Sequence, residues 1–143
     1  MQKTVASILG AKGSATWSVT PDESVYAALE LMADKNVGAL VVIDRGSLVG
    51  IISERDYARK VILMARGSKE TPVAEIMTAD PVTCTSDTTV TECMSVMTDK
   101  RFRHLPVVDD GQLVGVISIG DVVRAVIEEQ KFLIDQLESY ITG

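Results

Sequence analysis

Ser53 with Asp56 and Ser118 with Asp121 form two serine–aspartate pairs, each spaced by three residues and each within a Gly-x-x-Ser-x-x-Asp segment. An ionised carboxylate only accepts hydrogen bonds, and one such group can take both hydroxyls of a vicinal diol, as on a ribose. Charge-assisted bonds of this kind are the stronger sort. The same spacing is also a helix capping box, in which the serine accepts from a backbone N–H and the acid reaches back. Spacing alone leaves diol binding and capping both open. A second group is basic: Arg101, Arg103 and His104 fall within four residues, and Arg55 lies in the first turn after Ser53. Arginine offers a two-pronged donor for phosphate, and histidine donates or accepts according to pH; such a cluster can equally be a solvated strand end. Arg59 and Lys60 read as a surface face.

Candidates for bond-breaking chemistry are few. His104 is the only histidine, and no nucleophile has an evident base beside it. There is no Gly-x-Ser-x-Gly elbow, phosphate-cradling loop or dinucleotide fingerprint. Cys84 and Cys93 sit in no Cys-x-x-Cys pattern, and with one histidine they cannot build a four-ligand zinc site. The expectation is a chain that is not an enzyme, with no catalytic cofactor and no metal. A net charge of −6 argues against a nucleic-acid binder. No apolar run approaches the roughly eighteen residues of a membrane span, and the start lacks a signal peptide's pattern, so the cytoplasm is expected.

These residues must be positioned by elements that occur twice. Leu48–Ser53 returns as Leu113–Ser118, an offset of 65, and at that offset 18 of 41 positions between 22–62 and 87–127 are identical. Unrelated segments would share about two or three, so the chain contains a duplication. Upstream, residues 5–9 resemble 73–77 at an offset of 68, so repeat one carries three extra residues around 11–16. The organisation read from this is repeat one at 1–64, a linker at 65–72, repeat two at 73–129, and a C-terminal helix extension at 130–143. Thr71 and Pro72 suit the cap and first turn of a short helix. In each repeat a short strand (15–19; 82–85) leads to a helix whose apolar residues have helical spacing: Val25, Ala28, Leu29 and Met32, then Val90, Cys93, Met94 and Met97. Two strands joined by a Gly-containing turn follow (39–43 and 48–52; 105–108 and 113–117), then a helix from Ser53 or Ser118. The unit is β-α-β-β-α, an α/β (α+β) fold, and one copy has too little core to stand alone.

This layout resembles the CBS (cystathionine-β-synthase) domain pair, or Bateman module, over nearly the whole chain. The resemblance lies in the Leu-Pro-Val-Val-Asp hairpin at 105–109, its counterpart at 40–44, and the paired motifs at 50–56 and 115–121. Residues 54–60 and 103–107 look like the small stand-alone bacterial members. The resemblance implies two repeats packed by pseudo-twofold symmetry and a regulatory sensor that binds an adenine nucleotide, AMP, ATP or NAD(H). It implies ribose binding by Ser53, Asp56, Ser118 and Asp121, and favours phosphate binding by Arg55, Arg101, Arg103 and His104. The adenine pocket is expected from Ala15, Thr16, Trp17, Val37 and Gly38 for the Asp121 cleft, and from Val82, Thr83 and Phe102 for the Asp56 cleft. Lys12 and Gly120 belong to the remaining cleft wall. Trp17 can stack on a base or pack in the core.

The alternative function is a ligand-independent interaction module. Val123, Ile127, Ile134, Leu137 and Ile141 recur as one apolar stripe that outruns a small domain, which points to a homodimer.

Overall fold

The computed structural model describes residues 3–142, in two compact units. The central unit is Ala15–Val82; the terminal unit is Met1–Ser14 together with Thr83–Gly143.

In the central unit, β1 (Ser18–Val19) leads to α2 (Val25–Lys35), numbered after α1 (Val5–Lys12) of the terminal unit. Ser24 starts α2 by accepting from the Ala27 N–H at 3.1 Å, and Asn36, in the left-handed region at φ 54°, ends it. Val25, Ala28 and Met32 form its buried face. The hairpin β2 (Ala39–Asp44) and β3 (Ser47–Ser53) turns through Arg45 and Gly46 at φ 52° and 81°. Positive φ at both central residues matches the right-handed twist of the flanking strands. β1 pairs parallel to β2 and β4 (Thr78–Ala79) antiparallel to β3, giving the order β1-β2-β3-β4. Leu40, Val42 and Ile52 of the sheet pack with Val25, Met32, Val61 and Ile76.

After Ser53, the expected single helix is α3 (Glu54–Tyr57) followed by one π-helical turn, Ala58–Ile62. The expected short helix after Thr71 is a 3-10 turn, Val73–Glu75, with Pro72 at its start. Thr71 does not cap it: the N-cap position is Pro72, with no side-chain cap bond, and the Thr71 hydroxyl donates to the Gly67 carbonyl at 2.6 Å.

The terminal unit repeats the plan with α4 (Val90–Lys100), β5 (His104–Asp109), β6 (Gln112–Ser118) and α5 (Ile119–Thr142). Thr89 and Glu92 cap α4 reciprocally, and Val90, Cys93 and Met97 are buried along it. Cys93 is core filling, as the spacing suggests. Where β1 pairs in the central unit, residues 82–85 give a single parallel bridge, Cys84 to Val107.

Each repeat's leading segment packs on the other repeat's strands. Val73 N–H donates to Glu23 O at 2.8 Å in the central unit, and Val5 N–H donates to Thr88 O at 2.9 Å in the terminal one. A Cβ built on Gly50 would meet Met77 Sδ at 2.6 Å, and one on Gly115 would meet Leu9 Cδ2 at 2.7 Å. Leu9 and Met77 are themselves equivalent in the repeat, so the exchange is reciprocal. The matched glycines are therefore required by close approach, not by a turn. Gly50→Ala should cost about 1–3 kcal/mol by overpacking, since Thr78 O also lies at 3.0 Å from that Cβ. Gly10→Ala, within α1 and with nothing within 4 Å, should stabilise by about 0.5–1 kcal/mol. Chemical denaturation of the two variants reads both signs.

Candidate functional site

Each serine–aspartate pair sits where a hairpin strand runs into a helix. In the terminal unit, Ser118 N–H donates to Asp121 Oδ2 at 2.8 Å and Asp121 N–H donates to Ser118 Oγ at 3.2 Å. In the central unit, Ser53 N–H and Oγ–H donate to Asp56 Oδ2 at 2.9 and 3.0 Å, and Asp56 N–H donates back to Ser53 Oγ at 3.2 Å. The capping geometry is thus present at both junctions. It does not use up the carboxylates, because each oxygen has two lone pairs.

A lysine approaches each aspartate. Lys60, one turn along from Asp56, places Nζ 3.3 Å from Asp56 Oδ1 and donates to Ile76 O at 2.9 Å. Lys60 is exposed, as a surface face implies, and its i,i+4 spacing from Asp56 is the sequence signal for the pair. Lys12, from α1, donates to Asp121 Oδ2 at 2.7 Å and to Val116 O at 3.0 Å. Arg124 Nη1 lies 3.7 Å from Asp121 Oδ1. Burial alone would raise the Asp121 carboxyl; the hydrogen bond from Lys12, that from the Ser118 N–H and the Lys12 charge outweigh it, so the group lies below the usual carboxylate range. Asp121 is then a carboxylate at neutral pH, at the start of a helix and 11% exposed.

Arg103, His104 and Arg55 lie beside these junctions, and Arg101 at the end of α4. Ile119 N–H donates to Arg103 O at 2.8 Å, which fixes Arg103 and its neighbour His104 beside the start of α5. The equivalent bond in the central unit runs from Glu54 N–H to Gly38 O at 3.0 Å. Arg101 ends α4 in the left-handed region at φ 59°. Arg55 is half-buried in α3, beside Asp56 in sequence.

The residues expected to wall an adenine divide between the units. Ala15, Thr16, Trp17, Val37, Gly38 and Val82 lie in the central unit, and Thr83 and Phe102 in the terminal one. Trp17 is 37% exposed, with the Lys35 ammonium 4.4 Å from its ring centroid, so it is not a core residue. Gly120 is exposed in the first turn of α5. Lys12 and Asp121 are among the residues lining a cleft of about 270 Å³ between α1 and α5, with Ser7, Ile8, Ala11 and Glu128.

Cys84 and Cys93 are both buried, and hydrogen bonding with Cys93 followed by burial pushes the Cys84 thiol up. No helix among the described residues is long and apolar enough to cross a membrane.

Two similar units, each a hairpin flanked by helices with a serine–aspartate junction, define a tandem-repeat module. The CBS domain family model matches residues 16–63 and again 73–128, and the chain belongs to the CBS domain family as a tandem pair, the Bateman module. It is 51% identical to a protein with CBS domains from Burkholderia ambifaria, with a TM-score of 0.86 over 90% of this chain and 96% of that one. It is 48% identical over 93% of its length to the mitochondrial CBS domain-containing protein CBSX3 of Arabidopsis thaliana, spanning 66% of that protein. A hexameric CBS-CP12 protein from bloom-forming cyanobacteria is 26% identical, with a TM-score of 0.79 over 86% of this chain and 71% of that one. Some curated relatives are much longer, and the chain spans 19% of the Arabidopsis CBSCBSPB5 protein. CBS-domain proteins are commonly regulatory or signal-transduction modules.

Proposed function

We propose that the chain is a cytoplasmic, non-catalytic sensor that binds an adenine nucleotide (AMP, ATP or NAD(H)) and responds by a change of conformation or assembly. The observation that carries the reading is the recurrence of a carboxylate at a helix start, oriented by its serine and with lysine beside it. Asp56 and Asp121 would grip ribose hydroxyls, with Ser53 and Ser118 holding them in place. Arg55, Arg101, Arg103 and His104 would meet the phosphates, near helix N-termini that favour negative charge. The second reading, a module that works through self-association without a ligand, is favoured by the exposed apolar end of α5. The two readings are compatible, and we take the sensor to be a homodimer.

Thermal unfolding tests the sensor. An adenine nucleotide at a hundred times its dissociation constant adds about 2.7 kcal/mol. That raises the melting temperature of a chain this size by about 6–10 °C. Guanine nucleotides should give less. No rise with AMP, ATP or NAD(H) at millimolar concentration refutes the sensor and leaves the self-association module.

A further inference from the structure

One carboxylate oxygen of Asp121 is already fully engaged from within the chain. Asp121 Oδ2 accepts from Ser118 N–H at 2.8 Å and from Lys12 Nζ at 2.7 Å, which uses both of its lone pairs. Oδ1 has Arg124 at 3.7 Å, beyond a strong hydrogen bond. A diol that gives one hydroxyl to each oxygen needs the position Lys12 holds, because the Ser118 N–H is fixed by the backbone.

Lys12 differs from Lys60 in where it comes from. Lys60 rides on the same helical segment as Asp56, four residues on. Lys12 reaches Asp121 across 109 residues of sequence, from the last turn of α1. It also stands in for a strand. Val116 is equivalent to Ile51, which faces Thr78 of β4 in the central unit; Val116 O instead receives the Lys12 ammonium at 3.0 Å. α1 is anchored at its start by the buried Val5 and by backbone bonds to Ser86 and Thr88. Its last turn precedes Gly13, at φ 92°, where the chain leaves the helix. Releasing Lys12 would free that turn and leave the start of α1 docked.

We propose that Lys12 is an internal competitor for the ribose site: its ammonium must leave Asp121 before a nucleoside diol binds, so α1 sets the affinity of this site and is loosened when the site fills. The proposal rests on the nucleotide reading above. It gives that reading an output, because occupancy is converted into mobility of α1.

The test uses the whole chain as Lys12→Met and Lys12→Arg, with adenosine and AMP as probes in calorimetry. Adenosine has the diol and no phosphate, so it separates competition at Asp121 from attraction of an anion. Lys12→Met should bind adenosine about three- to fivefold more tightly, the scale of an ion pair with one exposed partner. Lys12→Arg, which keeps the charge, should stay near wild type. Hydrogen exchange without nucleotide should quicken in Lys12→Met at the amides of residues 11–13, while those of Val5 and Ala6 stay protected. Weaker or unchanged adenosine binding by Lys12→Met, with wild type still binding, overturns the competition and leaves the sensor standing. A loss confined to AMP makes Lys12 a phosphate contact and also overturns it. If neither wild type nor variant binds adenosine or AMP, the nucleotide reading itself fails and takes the competition with it.

Discussion

Ending the chain after Glu129 should convert a dimer into a monomer. α5 runs from Ile119 to Thr142, 24 residues and about 36 Å, yet Val122 and Ala125 are its buried apolar residues. Further on, Ile127, Ile134, Leu137 and Ile141 are 54–80% exposed. Ile127, Ile134 and Ile141 recur every seven residues, with Leu137 three after Ile134. That is the spacing of a coiled-coil seam with isoleucine at one core position and leucine at the other. A lone helix end of about 15 residues is marginal in water, so this segment gains most of its stability from whatever covers the stripe. A second copy is self-complementary to it. Burying four such side chains on each of two copies gives about 1.5–3 kcal/mol apiece. The gross gain exceeds the low end of the roughly 4–15 kcal/mol cost of association. Light scattering should read twice the chain mass for the full chain and the chain mass for the truncated one. Ile134→Asp with Leu137→Asp in the full chain should do the same without shortening it. A persistent dimer in both would move the interface off α5.

The sequence made the repeat legible because duplication preserves the residues that build each turn and cap. Asp44-Arg45-Gly46-Ser47 and Asp109-Asp110-Gly111-Gln112 mark both hairpins, and the serine–aspartate spacing marks both junctions. What stayed hidden depends on contacts remote in sequence. Nothing local in residues 5–12 says that they dock beside Thr88 and Gly115. That exchange became visible only when Leu9 and Met77 were found against equivalent glycines. The π-helical turn at Ala58–Ile62 was hidden for another reason, since those residues suit an α-helix as well. The three extra residues of repeat one, around 11–16, have no counterpart in repeat two to read them against. They accompany a longer α1, whose last turn carries the lysine that reaches Asp121.

Asp121→Ala should lower nucleotide affinity and stability by separate and separable amounts. Both roles are physically open to this carboxylate, since it accepts the Ser118 N–H as a cap does and, once Lys12 leaves Oδ2, has a lone pair on each oxygen for a diol. Loss of charge-assisted bonds to ribose is worth about 1.5–3 kcal/mol, a roughly ten- to hundredfold loss of affinity. Loss of the cap costs about 0.5–2 kcal/mol of folding stability. Calorimetry with nucleotide reads the first, and the melting temperature without nucleotide reads the second. The pH dependence gives the cap and the Lys12 pair their own signature. The Asp121 carboxyl is depressed on folding, so its contribution is fully present above the ordinary carboxylate pKa near 4 and fades as pH falls through the lower folded value. Asp121→Asn should therefore flatten stability below about pH 4. A 2′,3′-dideoxy nucleotide supplies the control for the diol, because it lacks the hydroxyls the carboxylate would accept. It should bind wild type poorly and lose little more on Asp121→Ala, the interaction being gone already. The same cycle at Asp56 asks whether the central site is used. Asp121 should matter at least as much, since Arg103 and His104 are fixed beside its helix start, where the central unit has Gly38 and Ala39. If wild type binds ribo- and dideoxy-nucleotides equally, neither aspartate grips a ribose, and both are caps alone.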